Sequence, residues 1–179
     1  MSARPYWPYY CEENVWHACE EALHAKRDAW AVFVSNAAGR VAMWSQRAAP
    51  AGEPILWDYH VVLLERRDGR PAWWVRDPDC RAGRELPASD WLAHSFPAAV
   101  DVPTELAPHF RLVPAAEYRA QLCSDRSHMR QGDGWQAPPP PWPTIGEGSN
   151  LMRFVDVEQP FVGELLDLAG LRERVASLS

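Results

Sequence analysis

Ile55-Leu56-Trp57-Asp58-Tyr59-His60-Val61-Val62-Leu63-Leu64-Glu65 reads as the longest strand of the chain. Arg67-Asp68-Gly69-Arg70 follows as a hairpin turn signal, and Ala72 to Asp77 reads as the returning strand. A two-residue Asp68-Gly69 loop sets Arg67 opposite Arg70, and therefore His60 opposite Asp77. That is a non-hydrogen-bonded pair, the kind whose side chains lie closest on one face. Asp79 would face Asp58 instead, beyond Pro78, and proline tends to end regular pairing. A bulge would shift this register and break the match.

Upstream, Trp30 to Ser35 is a second strong strand. Asn36 to Gly39 turns the chain, and Val41 to Trp44 returns. Before that strand, Val15, Trp16, Cys19, Ala22 and Leu23 recur at helical spacing. Glu12 and Glu13 suit the start of that helix, and Lys26 and Arg27 suit its end. Residues 4–10 are extended, because two prolines fix φ and bias their predecessors away from helix. Cys11 therefore falls at the N-cap or in the first turn. Free backbone N–H groups there stabilise a thiolate, while Glu12 and Glu13 oppose it.

Downstream, Ala88-Ser89-Asp90 before Trp91 reads as a short capped helix, and Phe110 to Val113 as a strand. Pro114 to Leu122 is a helix with proline in its first turn. The run Pro138-Pro139-Pro140-Pro141-Trp142-Pro143 must be extended, as either a stiff spacer or a cleft wall. Leu151 to Val157 is partly strand-like, Gly163 to Leu168 a short strand, and Leu171 to Leu178 a final helix.

The length, 179 residues, fits one domain with a sizeable core, and 47% apolar with 23% charged residues is ordinary globular composition. Ten tryptophans suggest aromatic-walled pockets as well as core. With a net charge of −6 and Lys26-Arg27 and Arg66-Arg67 as its only adjacent basic pairs, the chain is not a nucleic-acid binder. It shows no basic-then-apolar leader and no apolar run of transmembrane length, which points to a cytoplasmic protein without membrane contact. Cys11, Cys19, Cys80 and Cys123 form no C-x-x-C pair, and H-E-x-x-H is absent, so no metal is expected.

A cysteine nucleophile needs an imidazole to take its proton and a third group to orient that imidazole. Six histidines compete. His17 and His24 share a helix with Cys11 and reach it poorly. His60, with Asp77 opposite, supplies a His–Asp pair on one sheet face. His128 is the rival base, in a polar loop where Asp125 and Arg126 can pair with each other.

Five segments carry a family resemblance: Tyr10-Cys11-Glu12-Glu13-Asn14, Val32 to Asn36, Trp57 to Leu64, Ser124-Asp125-Arg126-Ser127-His128-Met129, and Pro138 to Pro141. In this order they resemble the protein N-terminal glutamine amidohydrolase family. The resemblance implies a cytosolic, monomeric enzyme that converts the N-terminal Gln of proteins or peptides to Glu, releasing ammonia, in the N-degron pathway. It implies a single α+β catalytic domain over residues 1–179, an α-β-α core with a mostly antiparallel sheet like that of transglutaminases and papain-like enzymes. By motif, the family's catalytic cysteine, histidine and aspartate fall on Cys11, His60 and Asp77. Val75 to Asp79 is a loose match, and the hairpin register points to Asp77 independently.

Such chemistry needs no cofactor. The Cys11 N–H and a Trp or Tyr of residues 6–10, Tyr10 among them, are the expected oxyanion donors. Glu12, Glu13 and Asp58 are the candidate carboxylates for the substrate's α-ammonium. Two other readings use the same residues. One is a transglutaminase-like or papain-like acyl transferase or protease. The other is a module that grips peptide N-termini and leaves Cys11 inert.

Overall fold

The computed structural model describes residues 6–69 and 72–176. Helix α1 spans Cys11–His24. Its apolar residues Val15, Ala18, Cys19 and Ala22 are buried at three- and four-residue intervals, which makes it amphipathic. It ends where Lys26 takes a left-handed φ of 54° and the Arg27 N–H returns to the Ala22 carbonyl at 2.9 Å.

Strand β1 is Ala29–Ser35, β2 Val41–Met43, β3 Ile55–Trp57, β4 His60–Arg66, β5 Trp73–Arg76 and β6 Glu85–Pro87. Helix α2 is Ala88–Ser95, strand β7 His109–Pro114 and helix α3 Ala115–Gln121. The short strands β8 (Arg130–Gln131) and β9 (Gly134–Trp135), helix α4 (Leu151–Val155), strand β10 (Glu164–Asp167) and helix α5 (Leu168–Ala176) follow.

Six strands form one sheet in the order β10-β7-β1-β4-β5-β6, and every neighbouring pair is antiparallel. The fold is α+β, in three layers. On one face Phe33, Val61, Leu63 and Val113 pack beneath α1, α3 and α4. On the other, Val32, Val62, Leu64 and Leu112 pack against α2 and α5 through Trp91, Leu92 and Leu171. The alternation along β1 and β4 sorts odd and even residues into these two cores. Arg76, 6% exposed, reaches from β5 to Glu21 of α1 at 2.8 Å and ties helix to sheet. No helix among the described residues is long and apolar enough to cross a membrane.

Helix α2 begins at Ala88 with Pro87 as its N-cap and no side-chain cap hydrogen bond, so the cap expected at Ala88-Ser89-Asp90 is not made. Four further sequence expectations change. The Ile55–Glu65 stretch is two strands in two sheets, because the chain bends at Asp58 and Tyr59. Val41–Met43 pairs with β3, not back onto β1, whose two edges are occupied by β4 and β7. Residues 151–155 are helical; burial of Leu151, Phe154 and Val155 follows a three- and four-residue spacing.

The fourth change is the hairpin register. Leu63 faces Arg76 and Arg66 faces Trp73, while the Arg67 N–H donates to the Ala72 carbonyl at 2.7 Å. Arg70 lies outside the described residues. The connection is two residues longer than the two-residue loop expected. A two-residue slip keeps every side chain on its own face, so His60 and Asp77 stay on the same side of the sheet.

Candidate active site

Cys11 is the first residue of α1, and Tyr10 is its N-cap. The preceding turn is pinned by Asn14, whose side chain accepts from the Trp7 N–H and donates to the Trp7 carbonyl, both at 2.8 Å. Tyr9 sits at φ 67°, a left-handed conformation uncommon for a side chain of this size. Cys11 is half-buried and lines a cavity of about 370 Å³ with His60, Trp57, Asp58, Asp79 and His128.

His60 opens β4 and is 2% exposed. Its Nε2 lies 3.0 Å from Asp77 Oδ1, which leaves Nδ1 for the cavity side. The Trp57 ring stacks on the imidazole at 5.6 Å between centroids and 12° between planes, and it screens the ring from water. Asp77 follows β5, where the chain leaves the ladder. Its Oδ1 also accepts from the Asp79 N–H at 3.1 Å. Its Oδ2 accepts from Trp91 Nε1 at 3.0 Å and Gln46 Nε2 at 3.3 Å.

His60, Asp77 and Asp79 have ligand-type atoms within 4.8 Å of one another. Those four donors already use the acceptor capacity of Asp77, so the cluster is a hydrogen-bonded assembly around an imidazole.

The sheet brings Cys11 and the His60–Asp77 pair to one cavity, and it separates the candidate substrate-binding residues. Asp58 is exposed and lines the cavity. Glu12 is fully buried below it, with Oε2 3.9 Å from Cys11 Sγ and 3.4 Å from the Tyr59 hydroxyl. Glu13 does not line the cavity. It is fully buried and held by Arg126, with Nε to Oε1 at 2.7 Å and Nη2 to Oε2 at 2.8 Å, and by Trp142 Nε1 at 2.6 Å. Tyr10 does not face the cavity either, because its hydroxyl donates to the Ala137 carbonyl at 3.0 Å. Arg126 and Asp125 are not paired with each other: Asp125 accepts from the Ser127 N–H at 2.9 Å.

A model of the N-terminal glutamine amidase family matches residues 6–175. The chain belongs to the N-terminal glutamine amidase family. It is 34% identical over 152 residues to the protein N-terminal glutamine amidohydrolase of Bos taurus, covering 82% of this chain and 73% of the relative. The Homo sapiens protein of the same name is 34% identical, with 82% and 74% covered. That of Danio rerio is 31% identical, with 82% and 75% covered.

Electrostatics distinguishes the titratable residues of this cavity. Burial pushes the Cys11 thiol well above the ordinary cysteine range, and the neighbouring Glu12 carboxylate adds to it; the Val61 N–H opposes both. Burial alone would lower His60, but the Asp77 carboxylate outweighs it and the imidazole is raised. Burial would raise Asp77, and His60, Trp91 and Gln46 together hold its carboxyl below the usual range. The resting pattern is a neutral thiol, an ionised Asp77 and a basic imidazole.

Sequence reasoning missed Trp57, Gln46 and Trp91, and weighed Asp79 only as the alternative to Asp77. Nothing local marks Gln46, in an irregular loop, or Trp91, in a helix of the opposite layer. Trp57 was readable in principle, three residues before His60 in a stretch already singled out.

Proposed function

We propose that this chain deamidates the side chain of an N-terminal glutamine, in a protein or peptide, to glutamate with release of ammonia. The observation that carries the reading is a helix-start cysteine and a buried His–Asp pair opening onto one cavity, in a chain of the amidase family. His60 takes the Cys11 proton, and the sulfur attacks the side-chain carboxamide carbon. The carbonyl electron pair moves onto oxygen, where the Cys11 N–H, free at the start of α1, meets it. As the tetrahedral species collapses, the C–N bond breaks and His60 returns its proton to the departing nitrogen. A water then loses a proton to His60 and attacks the thioester. The C–S bond breaks, the thiolate is reprotonated, and the γ-carboxylate product leaves.

Selectivity for a free N-terminus follows from the rim. Asp58 and Asp79 both line the cavity, and a carboxylate is the natural partner of an α-ammonium. Asp58 is the better candidate, because the Asp79 carboxylate already accepts from the Tyr6 hydroxyl at 2.7 Å. On the resemblance we also propose a monomer that works in the cytoplasm.

A peptide panel tests the reading. Ammonia should be released from a peptide with Gln first, and not from one with Gln second or internal, nor from the first peptide after its amine is acetylated. Equal turnover of the acetylated peptide would remove the ammonium site. Turnover of internal Gln would favour an acyl transferase or protease.

The pH profile gives a second test. His60 must be unprotonated to act, and its pKa is raised above 6.5. The kcat/KM should therefore be low at acid pH and climb only as pH passes above 6.5. Asp77→Asn removes the larger of the two carboxylate effects that raise the imidazole, leaving Asp79 against the burial that lowers it. The acid limb should move to lower pH while kcat falls by roughly 10³-fold or more. An acid limb that stays in place in this variant would remove Asp77 from the role.

A further inference from the structure

Consecutive glutamates of α1 each face one residue of the same turn. Glu13 holds Arg126, and Glu12 Oε1 lies 3.4 Å from His128 Nε2. The turn that places them is tight. Arg126 is left-handed, at φ 64°, and Ser127–Met129 closes a 3-10 turn. His128 lines the cavity that holds Cys11 and His60, so that cavity takes one histidine from each of two histidine–carboxylate pairs.

The proposed deamidation leaves one role unfilled, the second donor to the tetrahedral oxyanion. Four of the aromatic donors around the nucleophile are committed elsewhere, while Trp57 Nε1, on the ring stacked against His60, is buried without a hydrogen-bond partner among the described residues. The Tyr6 hydroxyl is on Asp79, Trp7 Nε1 on the Pro138 carbonyl, the Tyr10 hydroxyl on the Ala137 carbonyl and the Tyr59 hydroxyl on Glu12. His128 is not committed in this way: among the described residues its Nδ1 hydrogen-bonds nothing. Glu12 meanwhile is a fully buried carboxylate whose Oε1 lacks a hydrogen bond. A buried carboxylate is costly unless it is paired, and the imidazole beside it is the partner at hand.

We propose that His128 is a further catalytic residue, whose ring donates the second hydrogen bond to the carboxamide oxygen as that oxygen gains charge, with Glu12 as the positioning residue that holds the ring from behind. This rests on the amidohydrolase reading. No proton is transferred by His128; it stabilises charge that Cys11 and His60 create. Such a donor acts in the transition state more than in the ground state, so its loss should fall on kcat.

The test pairs steady-state ammonia release from a Gln-initiated peptide with the rate of Cys11 alkylation by iodoacetamide, which needs the thiol but no oxyanion site. His128→Ala should lower kcat by about 10²–10³-fold with KM little changed, while alkylation proceeds at the wild-type rate. His128→Gln keeps an N–H donor and should recover part of the loss, which guards against a folding defect in the alanine variant.

Glu12→Gln should move the two readouts in opposite directions. The kcat falls because the ring loses its brace, while alkylation speeds up, because Glu12 is one of the groups that keep the thiol protonated. A purely structural residue would not split them in this way. Unchanged kcat in His128→Ala overturns the inference, as does alkylation that falls in step with kcat, which would make His128 a base for the thiol. A loss of kcat in Gln136→Ala instead would assign the donor to that exposed cavity residue. Wild-type protein that alkylates normally but releases no ammonia would defeat the underlying amidohydrolase reading itself.

Discussion

Cys11→Ala should abolish ammonia release from a Gln-initiated peptide, a loss on the order of 10⁶-fold in kcat. The size of the effect follows from the absence of a substitute. Cys19 and Cys80 are fully buried, and Cys123 does not line the cavity. Tyr59 reaches the same cavity, but burial, with Glu12 adding to it, raises its hydroxyl pKa well above the ordinary tyrosine value. Water alone would have to attack an unactivated amide. The variant should fold, since Cys11 is half-buried at a helix start and alanine suits a helix. Its melting temperature should lie close to that of the wild type, and it should still bind the peptide. Measurable turnover in a folded Cys11→Ala protein would refute the covalent mechanism.

The largest expected loss of stability comes from Arg126→Met. Arg126 is 6% exposed and Glu13 is fully buried. The guanidinium holds both Glu13 oxygens and also donates to the carbonyls of Pro140, Trp142 and Pro143 at 3.4, 2.9 and 3.3 Å. Prolines have no N–H, so this extended segment can be tied down only through its carbonyls and side chains. Removing the guanidinium leaves an uncompensated carboxylate and takes three carbonyl ties from the strap, which then keeps only Trp142 Nε1 on Glu13 and Trp7 Nε1 on the Pro138 carbonyl among the side-chain ties described. Breaking a buried pair on one side costs about 3–5 kcal/mol. For a chain of this length that corresponds to a melting temperature lower by roughly 10 °C. Glu13→Gln in the same background should restore part of the loss, because the stranded charge is gone. Thermal unfolding of the single and double variants checks both points; a shift of only a degree or two for Arg126→Met would mean the pair contributes little.

The residues of the site were more legible than the backbone that brings them together. Cys11 could be read from a helix start after a proline-rich lead-in, because capping and φ restriction are local rules. His60 could be read as an ionisable group within an apolar strand. Their meeting with Asp77 was inferred through a register two residues off, and it held because strand faces repeat every two residues. The bend at Asp58 and Tyr59 was not legible, since both flanks have strand composition and the break is set by which sheet each half joins. Glu12 and Glu13 looked alike as helix-start acids. Only the turn at residues 126–129, more than 110 residues later, makes one the partner of Arg126 and the other the neighbour of His128. The proline strap had an unambiguous backbone but an undecided place, which the Arg126 guanidinium and the Trp7 and Trp142 indoles decide.

The central position of β1 has a consequence for the growing polypeptide. One edge of β1 is covered early, by β4. Its other edge pairs with His109–Pro114 alone, so it stays bare until that segment has been made. Over that interval Val32, Phe33 and Val34 belong to an apolar strand with unpaired amide and carbonyl groups, which is the usual template for intermolecular β-pairing. Truncations before residue 109, or slow translation between β4 and β7, should therefore send this chain into aggregates, whereas changes at the β10 edge should be far better tolerated.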